Sequence, residues 1–397
     1  MMIRTLLAAT ALCCTMPALA KTITVEAGAD AQERLQEALI LAQPGDVVEL
    51  GAGTFELTDG LSLDVNKVTV RGAGMDKSIL NFAGQLGAGE GLLVTSDDVV
   101  LRDFAVEDSK GDGIKSKGAD RIVYHAVRVE WTGGPKASNG AYGIYPVEAS
   151  DILVQDSVVR GASDAGIYVG QSKNIIVRRN TAIENVAGIE IENSFDAEVT
   201  ENLVTENTGG ILVFDLPNLP QMGGHNVLVA RNAIINNNTD NFAPEGNIVA
   251  SVPAGTGVMV MANRNVQVVE NAMINNGTSN VMVVAYTQGF DDPNYDPTPR
   301  DVYIADNVYG RAGFAPDFDG GQQLAAAFGG ALPGVFYDGL GKGLVVNDPV
   351  PVLNLGLTKV GQSPTEAKPS LHNQKGASEA VALSPIVLPA SMEAALK

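Results

Sequence analysis

Apolar residues in this chain come in runs of three or four, too short and too evenly placed for helices. The runs opening at Gly91-Leu-Leu-Val, Gly113-Ile-Lys-Ser, Gly143-Ile-Tyr-Pro, Gly166-Ile-Tyr-Val, Gly188-Ile-Glu-Ile, Gly210-Ile-Leu-Val and Gly257-Val-Met-Val start 22, 30, 23, 22, 22 and 47 residues apart. Asn280-Val-Met-Val opens one more without the glycine. A second apolar run follows in each unit, such as Ile175-Ile176-Val177, and ends on a small or polar residue: Ser157, Asn180, Asn202, Asn232, Asn271, Asn307. A third short run closes the unit. Three short strands per ~22-residue unit, with turn residues between, predict a parallel β-helix. The expected fold is all-β, a right-handed parallel β-helix solenoid of ~10 coils stacked ~4.8 Å apart. Stacked asparagines are expected to bond one another and the turn backbone. A leucine-rich framework is missing, and so is the 3.6-residue periodicity of helical repeats.

Residues 30–42 break the pattern. Leu35, Ala38, Leu39 and Ala42 share one helical face, and Pro44-Gly45 ends the run. An N-terminal capping helix is expected here, covering an otherwise open sheet end. From Gly310 the repeat fades. The expected organisation is an export signal at 1–20, an N-terminal strand and capping helix at 21–60, the β-helix at 61–309, and an irregular cap and tail at 310–397, mobile over its last ~25 residues.

Alternation within Gly-Ile-x-Val puts isoleucine and valine in the bore and x outside. The first outward column reads Leu93, Lys115, Tyr145, Tyr168, Glu190, Leu212, Met259, Met282. The second reads Thr95, Lys117, Val147, Gly170, Glu192, Phe214, Met261, Val284. One face therefore runs from lysines through tyrosines to glutamates and then to apolar residues. Insertions at Leu216–Asn226 and Gly289–Arg300 leave just after this strand, and loops at Trp131–Tyr142 and Asn236–Thr256 enter just before it. Long loops on a rigid scaffold carry function, so a walled, open groove is expected.

Phrases such as WTGGP (131–135), NGAYGIYPV (139–147), ASDAGIYVGQS (162–172), GIEIENS (188–194) and TGGILVFDLP (208–217) resemble a family of exported bacterial right-handed parallel β-helix repeat proteins, over residues 22–310. The wider superfamily includes pectate lyases, polygalacturonases, alginate epimerases and the copper-associated periplasmic protein of nitrous-oxide reductase maturation. The resemblance implies the fold, export, and a second exported protein as partner. It carries over no catalytic residue.

Charge and composition narrow the function. A formal charge of −20 argues against nucleic acid and anionic membranes. It also penalises polyanionic polysaccharides unless a cation or local lysines intervene. Met1-Met2-Ile3-Arg4, an apolar run from Leu6 to Leu12 and Ala18-Leu19-Ala20 read as a signal peptide cut after Ala20. That places the mature protein in the periplasm or outside the cell. Neither Cys13 nor Cys14 is preceded by the small residue that lipidation requires, and no other cysteine exists. No run approaches the ~20 apolar residues of a membrane span.

The candidate chemistry lies on the decorated face. Glu190 and Glu192 suit the two carboxylates, ~5–9 Å apart, of glycoside hydrolysis. Tyr168 and Lys115 join them as candidate catalytic groups, with Lys115, Tyr145 and Tyr168 available as bases for a lyase or epimerase. Tyr145, Asp164, Trp131, Asn139 and Tyr142 are the expected substrate contacts. The competing account makes stacked tyrosines packing and adjacent glutamates a solvated face. These rungs hold no histidine and the outward columns no arginine. His125 sits away from the groove, whereas His225 in an inserted loop could reach it. Met259, Met261 and Met282 could suit Cu(I), but an apolar patch covered by the proline-rich insertions, the tail or a partner accounts for them better. Asp317-Phe-Asp319-Gly and Phe290-Asp-Asp-Pro-Asn resemble Ca2+ loops in composition only, so no cofactor is expected. The expected ligand is a polysaccharide or oligosaccharide, bound or modified. The alternative is a non-catalytic scaffold docking another exported protein through Leu212, Phe214 and Met259.

Overall fold

The computed structural model describes residues 20–362, 366–372 and 380–397. The export segment, apart from Ala20, and both cysteines lie outside the described residues. Among those described, the strands form three sheets. The first-strand sheet runs from Leu61–Leu63 through Ala165–Gly170 and Ala187–Glu192 to Val352–Asn354. The second-strand sheet runs from Thr22–Val25 to Val345–Val346, and the third-strand sheet from Gly53–Glu56 to Val308–Tyr309. All their coil-to-coil pairings are parallel, and one antiparallel strand, Ser370–His372, closes the first sheet. Pairing is thus wider than 61–309: Thr22–Val25 already belongs to the helix, and Val335–Tyr337 continues the first sheet after the repeat has faded.

The register matches the repeat. Tyr168 pairs with Glu190, Glu190 with Leu212, Leu212 with Met259 and Met259 with Met282. Inward residues such as Ile167, Ile189, Ile211 and Val258 are fully buried in one column. Full burial of each such side chain is worth ~1.5–3 kcal/mol. Helix α1 (Ala31–Leu41) closes the N-terminal end with Leu35, Ala38 and Leu39 facing the core.

The expected asparagine column exists and is fully engaged. Asn180 donates Nδ2 to Asn202 Oδ1 (3.0 Å), and its backbone N–H reaches the same oxygen (2.9 Å). Asn202 does the same to Asn232, and Asn232 to Asn271. The residue before each asparagine (Arg179, Glu201, Arg231, Glu270) has φ between 55° and 60°. Left-handed backbone costs ~1–2 kcal/mol for such residues, and the ladder offsets it. A second ladder is also present: Asn185, Asn207, Asn237 and Asn276 repeat the arrangement after the third strand. Its sequence signal is the spacing of 22, 30 and 39 residues, coil for coil the same as in the first ladder.

The tail corrects an expectation. Residues 380–397 are not a mobile end but a strap laid on the outer face of the second-strand sheet. Leu388 and Met392, the latter on the short helix α3 (Ala390–Ala394, following α2 at Gly321–Ala327), pack on Val123, Leu153 and Ile176. Arg178 Nη2 donates to both Glu393 carboxylate oxygens (2.8 and 3.0 Å), and Gln267 Nε2 donates to Val381 O (2.6 Å). The cause lies in the sequence: the outward positions Val100, Val123, Leu153 and Ile176 form an apolar stripe that needs cover. Met392→Asp should release the strap. Hydrogen exchange over 386–397 is expected to rise at least ~10-fold, since the lost burial exceeds ~1.4 kcal/mol. Unchanged protection there would refute the docking.

Candidate active site

Glu190 and Glu192 point away from the bore, as the alternation dictates, with Ile189 and Ile191 fully buried beneath them. They are nevertheless not in an open trench. Glu190 is 1% exposed, Tyr168 4%, Asp164 5% and Glu192 8%. The Asn236–Thr256 loop arches over these rungs and lays Phe242, Ile248, Val249 and Val252 against Tyr168, Leu212 and Phe214. From the other side the insertion after Phe214 brings Leu216, Leu219 and Met222 to meet Ile248. Asn241 Nδ2 holds the arch in shape by donating to Val249 O (2.8 Å) and Val252 O (2.9 Å). Asn193 Nδ2 ties down the insertion through Leu216 O and Gln221 O, both 2.8 Å.

Under this roof lies a cluster of acids. Tyr168 Oη donates to Glu192 Oε1 at 2.6 Å. Asn247 Nδ2, on the arch, reaches Asp164 Oδ2 at 3.3 Å. Glu190 Oε2 is buried with no hydrogen-bond partner among the described residues. Burial, then the charges of Asp164 and Glu192, push Glu190 well above the usual carboxylic acid range. Burial and then Glu192 raise Asp164 to about 7. Burial raises Glu192 to about 7 even though the Tyr168 hydroxyl favours its ionised form. Glu190 is thereby kept protonated through neutral pH while Asp164 and Glu192 titrate near it, an arrangement that suits general acid–base chemistry.

The tyrosines form the wall on the N-terminal side. Tyr142 lies 4.5 Å from both Tyr145 and Tyr168, centroid to centroid, and Tyr145 meets Tyr168 edge-on at 4.9 Å. Lys115 is three rungs, or ~14 Å of backbone, from Glu190. Its ammonium sits 4.8 Å over the Tyr145 ring and pairs with Glu90 (3.2 Å) and Asp112 (3.6 Å). It is a rim group, not a partner of the acids. Trp131 is also displaced from its expected role. Its indole is buried in the main core and donates to Ser109 O at 2.7 Å, leaving no face for a ligand. Asn139 uses Nδ2 on Gly134 O and Gly161 O, which shapes its own loop, while its half-exposed edge lines a cleft. His225 does not reach the groove. It opens a second-strand segment and stacks on Phe195 at 4.4 Å.

Two openings flank the roofed cluster. On the N-terminal side is a polar cleft of about 250 Å³ lined by Glu90, Asp112, Asn139, Ser163 and Asn247. On the C-terminal side is a groove of about 610 Å³ whose floor is Phe214, Met259, Met261, Met282 and Val284. Val252, Pro253, Phe318, Leu324 and Leu355 wall it. As expected of an apolar patch with a cover, Met259 and Met282 are buried in one cluster with Phe318, Phe336 and Leu355 of the C-terminal region, while Met261 and Val284 stay half-buried at the groove. Among the described residues no group of three or more His, Cys, Asp or Glu is placed to hold a metal. Asp317 gives its carboxylate to Ala254 N (2.9 Å) instead, fastening the arch.

The family described as right-handed β-helix region matches residues 62–219. The fold is a right-handed parallel β-helix. No curated protein sequence matches it significantly. Among solved structures, this β-helix is similar to a mannuronan C-5 epimerase A-module from Azotobacter vinelandii. The two are 16% identical with a TM-score of 0.51, over 83% of this chain and 90% of that one. It is similar also to the DFA-IIIase of Arthrobacter chlorophenolicus in complex with DFA-III, at 13% identity and TM-score 0.51, over 83% and 94%. At such identities the likeness is one of fold. No helix among the described residues is long and apolar enough to cross a membrane.

The raised acids make the arch of this β-helix protein pH-sensitive, and the sign follows from linkage. With Asp164 and Glu192 near 7 when covered and near ordinary values when solvated, the closed state binds more protons between those limits. The stability of the closed arch is fully present below pH ~4 and is lost as pH rises through ~7. Hydrogen exchange across 241–253, corrected for intrinsic rate, should accelerate at least ~10-fold between pH 5 and pH 8, since a tenfold change in proton affinity is worth ~1.4 kcal/mol. A flat profile would mean that the acids do not govern the roof.

Proposed function

We propose that this exported protein binds a saccharide on its first-strand face and performs acid–base chemistry on it at Asp164, Glu190 and Glu192. One observation carries the reading: three acids, Asp164, Glu190 and Glu192, are buried together under the arch on the face that all the long loops border, and burial raises all three above the usual carboxylic acid range. Acidic groups with strongly displaced titration, sheltered between two open clefts, are features of catalytic sites. The two structural neighbours act on mannuronan and on DFA-III, which accords with a saccharide ligand. In this scheme Glu190 is the proton donor, Glu192 the acceptor, and Tyr168 the hydrogen-bond partner that keeps Glu192 ionisable. Tyr142 and Tyr145 offer flat apolar area with polar tips to a sugar entering from the polar cleft. The arch must lift for the reacting bond to reach the acids.

The test is to incubate the mature protein with a panel of polysaccharides, following binding and release of reducing ends together. Turnover abolished in Glu190→Gln and reduced in Tyr168→Phe is expected. No binding to any polymer would sink the reading. A second reading, docking of another exported protein, is favoured by the open apolar groove over Met259 and Met282. Cross-linking of such a partner at Met261, with the acids still covered, would support it.

A further inference from the structure

No cation enters the roofed acid cluster. Among the described residues, no ion pair reaches Asp164, Glu190 or Glu192, and what acts on them are other acids, tyrosines and Asn247. The roof brings no relief: the Asn236–Thr256 arch carries Asp240 and Glu245 but no lysine or arginine, and the Leu216–Met222 stretch carries no charge. Asp112 stands on the entry side and Asp215 on the exit side. On the outward columns the cations are taken: Lys115 pairs with Glu90 and Asp112, and Lys117 with Glu148 (3.3 Å), while Lys110 stays exposed at the lip of the polar cleft, outside the roofed chamber. Arg264 and Arg300 act on Asp215 behind the insertion. Meanwhile Glu190 Oε2, buried to 1% exposure, is left without a partner beneath the arch.

We infer that this site takes a saccharide free of carboxylate and sulfate groups, an uncharged or amino sugar, and turns polyuronates away. The inference rests on the saccharide reading above and narrows it. A uronate carboxylate entering the chamber would face buried like charges with no cation to neutralise it, where Coulomb repulsion is weakly screened. Hydroxyl or ammonium groups would instead supply the donor that Glu190 Oε2 lacks. The position of the Lys115 ammonium over Tyr145 shows that the tyrosine wall accepts a cation.

The chemistry narrows in step. Elimination or epimerisation beside a sugar carboxylate begins by stabilising extra negative charge on that carboxylate, which needs a cation this chamber does not provide. Cleavage of a glycosidic bond needs only what is present. The bond between the anomeric carbon and the leaving oxygen breaks as Glu190 passes its proton to that oxygen. Water adds to the anomeric carbon and gives its proton to Glu192, and transfer of that proton back to Glu190 restores the pair.

Titration calorimetry at pH 7.5 with oligosaccharides of matched length would test this, using neutral glucans and fructans, glucosamine oligomers, oligogalacturonate and oligomannuronate. Neutral or amino ligands should bind at least ~100-fold more tightly than either uronate. Binding of the amino ligand should weaken with added salt and strengthen from pH 5.5 to 7.5, as Asp164 and Glu192 ionise beside Asp112, Asp215 and the tyrosines. In Glu192→Gln, checked for folding by circular dichroism, the discrimination against uronates should shrink at least ~10-fold. A uronate that binds the wild type more tightly than its neutral counterpart overturns the inference and leaves the saccharide reading standing. No saccharide of either kind binding would remove that reading, and the inference with it.

Discussion

Glu192→Gln is expected to cut saccharide turnover by ~10²–10⁴-fold and yet to make the protein more stable at pH 8, by ~1–3 kcal/mol. Both effects have one origin. At pH 8 Glu192 is a carboxylate held almost out of water, beside Glu190 and near Asp164 and Asp215. In the proposed chemistry the covered site tolerates that charge at a cost because proton transfer needs an ionisable oxygen there. A neutral amide keeps the Tyr168 hydrogen bond, since its carbonyl can accept at the same place. It cannot accept a proton. At pH 5, where Glu192 is already mostly protonated, the stability gain should vanish. Thermal melts of both proteins at the two pH values, with turnover measured alongside, decide the matter. A gain in stability without loss of turnover would make the cluster a structural burden and no active site. A loss of stability at both pH values would mean that the carboxylate is a satisfied structural acceptor.

Asn202→Ala should be among the most destabilising single changes in the chain, by ~3–5 kcal/mol. Asn202 Nδ2 donates to Val177 O (3.0 Å) and Asn232 Oδ1 (2.9 Å), and its Oδ1 accepts from Asn180 N (2.9 Å) and Asn180 Nδ2 (3.0 Å). Alanine leaves these partners buried and unpaired, at a turn whose left-handed residue, Glu201, depends on them. Asn307 is the last asparagine of the ladder, with Asp348 taking the next rung, and it is half-buried, so water can replace its partners in part. Asn307→Ala should therefore cost about a third as much, ~1 kcal/mol. Equal costs at both positions, measured by chemical unfolding, would show that the ladder's cooperativity contributes nothing.

Which side chains face outward was legible before any coordinate. The Gly-Ile-x-Val alternation placed Tyr168, Glu190, Leu212 and Met259 in one column, and the strand register places them in that column. The gathering of Asp164 and Tyr142 around the glutamates was half legible, because both lie just before a first strand whose direction was known. Trp131 and Lys115 were misplaced for a local reason. Sequence position put them near the groove, but an indole with a carbonyl to bond and a lysine with two acids beside it settle where those partners are. The strap was missed because its stripe, Val123 with Leu153 and Ile176, was not read as a second outward column.

Strand, bore and face follow from neighbours along the chain, since side-chain direction alternates with each residue and like residues stack coil upon coil. That much the amino-acid order determined alone: a right-handed β-helix, its capping helix, its asparagine ladder and one decorated face. Exposure does not follow from it. Whether an outward glutamate meets water depends on where residues 236–256, some fifty positions later, come to rest. Only the tertiary structure decided that the arch closes over Glu190 and Glu192 and that Met259 and Met282 are covered while Met261 stays half-exposed at a groove. Burial, which lifts both carboxylates above their ordinary range, is a property of the assembled surface, and no segment of the sequence holds it by itself.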